Sequence, residues 1–156
     1  MKTIMKSLVS VFGGVILGIY IERKVKNQNQ FSNEADKYLY LFLMMKQWVK
    51  IKQERKSLAQ YLYGKGYKEI AIYGMGHVGE VLAEELLNSD VMVKYGIDRD
   101  TSKINMDFNV VTPDDKLDEV DAIVVTSITY FSEVEEMLSK KVNCPVISLE
   151  DILYEI

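Results

Sequence analysis

The stretch Ile70-Ala71-Ile72-Tyr73-Gly74-Met75-Gly76-His77-Val78-Gly79-Glu80 carries the strongest chemical signal in the chain. A short apolar run, glycines at G-x-G-x-x-G spacing and an amphipathic continuation outline a turn that cradles a diphosphate. Each glycine has a separate task. Gly74 lets the chain leave a strand tightly, Gly76 lets a phosphate approach backbone without a Cβ, and Gly79 lets the helix pack closely on the strand. Unpaired N–H groups at the helix start would face the phosphates, favoured by the helix dipole. Met75, His77 and Val78, within the same turn, join the predicted contact set. Asp98 follows Gly79 by 19 positions and ends KYGID, where its carboxylate can accept ribose hydroxyls. Arg99 is placed to meet a 2′-phosphate, but Asp98 and Asp100 oppose one. NAD or a nucleotide sugar is therefore expected over NADP.

Other reactive side chains are fewer. His77, the only histidine, either touches a phosphate or ribose or packs exposed at the turn. Thr126, Ser127 and Thr129 follow an apolar run and sit where ligands bind in open α/β sheets. Thr126 and Ser127 are taken as ligand contacts, with capping of the next helix as the alternative. Tyr61 and Lys65 match the Y-x-x-x-K spacing of short-chain dehydrogenases, but they precede the glycine turn instead of following it, so the match reads as accidental. Cys144, the single thiol, lies in the apolar run CPVISL and reads as a small buried side chain. No metal-ligand cluster, nucleophile–histidine pair or carboxylate pair can be assembled. No catalytic residue is predicted, and a proton-transfer group for sugar oxidoreduction or epimerisation is missing.

The elements that must position these residues alternate after Gly66. Strands are expected at Glu69–Tyr73, Val91–Ile97, Val110–Val111, Ala122–Thr126 and Pro145–Leu149, with helices at Val78–Asn88 and Phe131–Lys140. Between Val111 and Asp121 there is room for one helical turn at most. Alternation at this spacing means βαβ units and a five-stranded parallel sheet, and right-handed crossovers make the order 3-2-1-4-5. N-terminal helices precede the sheet. One starts near Asn33, with Tyr38, Leu41, Met45 and Trp48 three or four apart and Leu39, Phe42, Leu43 and Val49 widening the stripe. That pattern is core or partner-helix packing. Ser57 caps a second, SLAQYLYGKGY, which Gly64 or Gly66 terminates.

Charge divides the chain. Residues 1–68 carry a balance of +9 and residues 69–156 a balance of −13, for the overall −4. The acidic half repels nucleic acid, which excludes that partner. The basic half is drawn to an anionic membrane surface. Leu8–Ile21 is uncharged; as a helix it spans only about 21 Å, and counting from Thr3 with Lys6 snorkelling nearly closes the gap to a bilayer core. A membrane anchor over 1–24 is expected, single-pass at the cell membrane with the C-terminal domain cytoplasmic. An oligomerisation helix, with Gly14 and Gly18 as a G-x-x-x-G, and a cleaved signal remain alternatives. Residues 25–56 then form a linker and basic amphipathic helix, and 57–156 the nucleotide-binding domain.

IAIYGMGHVG, YGIDRD, VDAIVVTSITYF and CPVISLEDIL together resemble the small Rossmann-like domain of bacterial capsule and surface-polysaccharide biosynthesis proteins. The resemblance covers about residues 57–156. It implies a Rossmann-like fold that binds NAD or a related nucleotide through Gly74, Gly76, Gly79 and Asp98. It also implies an accessory role beside a polysaccharide-biosynthesis enzyme, because the catalytic domain of those proteins is absent from this sequence. A homo-oligomer and a ligand-free protein-interaction scaffold are further alternatives.

Overall fold

The computed structural model describes residues 34–156, apart from 105 and 128. The chain divides into two compact units, Met1–Phe42 and Leu43–Ile156. Of the first, residues 34–42 are helical and, Leu41 apart, exposed. The predicted anchor over 1–24 and most of the linker lie outside the described residues. Among the described residues, no helix is long and apolar enough to cross a membrane.

The helix α1 is described over residues 34–53; its part from Leu43 onward opens the second unit, which continues with α2 (Leu58–Gly64), β1 (Glu69–Tyr73), α3 (His77–Leu86) and β2 (Met92–Ile97). Then come β3 (Val110–Val111), β4 (Ala122–Val125), α4 (Phe131–Leu138), β5 (Val146–Ser148) and α5 (Leu149–Glu155). The five strands run parallel in the order β3-β2-β1-β4-β5. This is the doubly wound, Rossmann-like α/β arrangement the alternation predicts. The sheet reverses direction of growth between β1 and β4, and ligands of open α/β sheets bind beyond the carboxyl ends of the strands at such a point.

Strand alternation sorts the core. Ala71 and Tyr73, with Tyr95, Ile97, Ile123 and Val125, pack against Val134 and Leu138 of α4. Ile70, Ile72 and Val124 point to the other face and are fully buried. The β1–β2 register slips between Ile70 and Ala71, which leaves Lys94 unmatched. Its ammonium reaches Glu69 at 3.0 Å and the Glu119 carbonyl at 2.9 Å.

Helix ends follow local chemistry. The Ser57 hydroxyl accepts from Gln60 N–H at the start of α2, as predicted. Gly66, at φ +91°, terminates it, with Gly66 N–H donating to Tyr63 and Tyr67 N–H to Leu62. That left-handed pair of bonds is a Schellman close, which glycine adopts without strain. Residues 149–155, expected as strand end and tail, are instead helical. Leu149, Ile152 and Leu153 bury one face, and Glu150 and Asp151 sit in the first turn, where the dipole favours acids. Met44, Trp48 and Ile51 of α1 are also buried, so the compact unit begins ahead of Ser57.

Candidate functional site

Parallel pairing sets the site. Tyr73 pairs with Ile97 and with Val125, so the chain leaves three adjacent strands at one level. Gly74 N–H donates to the Ile97 carbonyl at 2.8 Å, Asp98 N–H to Val111 at 3.0 Å and Thr126 N–H to Tyr73 at 3.0 Å. The Gly74–Gly79 turn, Asp98 and Thr126 therefore meet at the carboxyl edge. The sequence places them there.

The three glycines do different work, and the geometry separates them. Gly74 sits at φ +91°, and a Cβ there would lie 2.6 Å from Thr126 Oγ1. A Cβ on Gly79 would lie 2.2 Å from the Gly74 carbonyl oxygen, because α3 packs directly on the turn. A Cβ on Gly76 would meet nothing within 4 Å. Gly76 is the N-cap of α3, with extended backbone and no side chain to bond the helix's first N–H groups. Those groups point out of the helix beside an open surface, the arrangement that receives an anion.

Asp98 has a task the spacing does not reveal. Its Oδ2 accepts Met75 N–H at 2.7 Å and its Oδ1 accepts Asp100 N–H at 3.0 Å. It buckles the β2 end onto the glycine turn. Each carboxylate oxygen keeps further acceptor capacity, so a ribose hydroxyl can still be bound. Asp100 in turn accepts both N–H and hydroxyl of Ser102, which hold its carboxyl below the ordinary value. Arg99 is exposed.

The remaining predicted contacts divide. The Thr126 hydroxyl is buried and donates to the Gly74 carbonyl at 2.6 Å, with the Tyr73 carbonyl at 3.1 Å. It clamps the turn, so its proton is engaged there, and the oxygen's lone pairs are what it keeps to offer. It does not cap α4, whose N-cap is Tyr130 without a side-chain bond. Ser127 is half-buried at the same edge. The Met75 side chain is buried against Gly96, where a Cβ would lie 2.8 Å from its Cγ. Only its backbone borders the turn. Val78 is half-buried. His77 is fully exposed, 3.6 Å from Glu80. Glu80 lies in the first turn of α3 and already complements the positive helix end, so a bound anion competes with it. Gly96 escaped the sequence reading, although a glycine inside a strand signals close approach.

Tyr73, the last residue of β1, is buried, and its hydroxyl has no hydrogen-bond partner among the described residues. Tyr73→Phe is therefore expected to leave stability unchanged or raise it by up to about 1 kcal/mol in urea denaturation. A loss beyond that would mean the hydroxyl bonds a group that phenylalanine cannot.

Away from this edge, Tyr61 and Lys65 both bond Glu155, Lys65 at 3.0 Å. Burial and the Glu155 carboxylate push the Tyr61 hydroxyl above its ordinary value, the reverse of what a proton-transfer tyrosine requires. A cleft of about 530 Å³ at the opposite, amino edge is lined by Lys116–Val120 and Lys141–Cys144. Cys144 is half-buried there, and burial pushes its thiol up, away from the thiolate a nucleophile needs. Tyr95, whose hydroxyl donates to the Asp118 carbonyl at 2.7 Å, is raised to about 12, chiefly by burial. Among the described residues, no group of three or more His, Cys, Asp or Glu is placed to hold a metal ion.

Comparison with known proteins finds no matching family model, no matching curated protein and no matching solved structure.

Proposed function

We propose that the chain is a nucleotide-binding module that takes NAD or a nucleotide sugar across the Gly74–Gly79 turn. The observation that carries the reading is the contrast among the glycines. Two are enforced by packing, while Gly76, the one that would face a phosphate, is enforced by nothing in the protein. Ser, Asp or Asn at an N-cap stabilises a helix more than glycine does, so glycine there suits an approaching ligand better than the fold. Asp98, at the end of β2 and bonded to Met75 N–H of the turn, is the ribose acceptor. Among the described residues, no proton-transfer group is assembled at this edge, which favours the binding reading. The resemblance of residues 57–156 adds the setting, an accessory to surface-polysaccharide synthesis, and the apolar N-terminal run adds a membrane tether through residues 1–24.

Gly76→Asp tests this reading because stability and affinity should move in opposite directions. The new carboxylate can accept from the first-turn N–H groups and should raise stability by a few tenths of a kcal/mol, up to about 1. The same charge occupies and repels the phosphate position, so calorimetric affinity for NAD, CoA or a UDP-sugar should fall at least tenfold. Saturable binding that is untouched by Gly76→Asp would place the ligand elsewhere. No binding of any of the three by the native chain would leave the glycines turning the chain and nothing more.

A further inference from the structure

Between α1 and α3 the surface opens into an apolar groove of about 430 Å³, lined chiefly by Met45, Trp48, Val49, Lys52, Val81 and Glu85. Its charged floor is already satisfied. Glu85 accepts the Trp48 indole N–H at 2.6 Å on one oxygen and the Lys52 ammonium at 2.6 Å on the other. What remains outward is apolar: Val49 is 52% exposed and Val81 38%.

We propose that this groove is the docking surface for a second copy of the chain. The α1 helices of the two copies lie parallel, each in the other's groove, about a two-fold axis that runs along them. A two-fold interface must be complementary to itself, and this surface is. Val49 and Val81 line the groove from α1 and α3, and both are exposed to meet the same side chains of another copy. The rims carry opposite charge, with Lys46 and Lys50 exposed on α1 and Glu80 and Glu84 exposed on α3. A two-fold axis sets the lysines of one copy against the glutamates of the other, and repeats the contact by symmetry. An anionic lipid surface would attract only the α1 rim and be repelled by the α3 rim, so the charges favour a copy over a membrane. A helix that is apolar beyond its core-facing stripe calls for a second partner.

Sedimentation of the full chain in mild detergent tests the proposal through charge exchange. Lys46→Glu and Glu84→Lys are each expected to raise the dimer dissociation constant about tenfold or more, because each places like charges together. The double variant Lys46→Glu/Glu84→Lys is expected to regain most of that loss, which a merely structural role for either residue would not produce. In a Cys144→Ser background, Val49→Cys should cross-link copies under mild oxidation, and Ser132→Cys on α4 should not. A monomer at every concentration overturns the proposal. So does a dimer that neither single charge variant weakens, or one that the double variant fails to restore.

Discussion

Gly79→Ala is expected to destabilise the fold by about 3 kcal/mol, although alanine is the better helix former. Helix propensity alone would stabilise by about 1 kcal/mol. Packing opposes it and wins. The new Cβ would sit 2.2 Å from the Gly74 carbonyl oxygen and 3.1 Å from its carbon, both backbone atoms that cannot rotate aside. That carbonyl is held in place by the Thr126 hydroxyl, and Gly74 itself occupies a left-handed conformation. Relief therefore requires α3 to lift from β1, which would loosen Leu82 and Leu86, both buried. Gly64→Ala in α2 is the control, since a Cβ there meets nothing within 4 Å. It should stabilise by about 0.5–1 kcal/mol in the same urea titration. Equal effects at the two positions would show that the turn does not press on α3.

The order of the sheet was legible because each strand is a short apolar run bounded by turn residues, and handedness leaves little choice of topology. The packing roles of Gly74 and Gly79 were legible for the same reason: a strand, a turn and a helix in sequence order already imply close contact. What escaped depends on contacts between distant segments. The bond from Met75 N–H to Asp98 requires the β1–β2 register, which includes a one-residue slip that no periodicity announces. The Thr126 clamp shows only once β4 is set beside β1, which places the hydroxyl under the Gly74 carbonyl. The helix α5 was hidden by brevity. Val146–Ser148 and Leu149–Glu155 form one apolar-rich run, and only the Leu149, Ile152, Leu153 spacing marks the change of period. The docking of α1 on α3 was hidden by distance, since Trp48 and Glu85 lie 37 residues apart.

That last contact decides where the domain begins. A fragment starting at Ser57, the boundary that motif and strand spacing suggest, is expected to fold poorly, whereas one starting at Leu43 should melt cooperatively. The shorter fragment loses Met44, Trp48 and Ile51, each at most 3% exposed. At about 1.5–3 kcal/mol for each buried apolar side chain, the three contribute on the order of 5–9 kcal/mol. Glu85 is affected as well. Its side chain is 8% exposed, and the cut removes both Lys52 and the Trp48 indole while keeping the carboxylate. A carboxylate stripped of its partners costs several kcal/mol unless it reaches water, which removal of α1 allows, so part of that penalty is recovered. Gln47, whose amide donates to the Leu153 carbonyl at 2.9 Å, and Lys56, whose ammonium reaches the Ile156 carbonyl at 2.8 Å, also leave α5. The sum approaches the whole stability of an ordinary domain, about 5–15 kcal/mol. Far-ultraviolet circular dichroism during heating separates the outcomes. A sharp transition for the fragment from Leu43 and a broad or absent one for the fragment from Ser57 is the expected pair. Two equally sharp melts would mean that α1 only rests on the sheet domain, and that Glu85 and Trp48 hold nothing the fold requires.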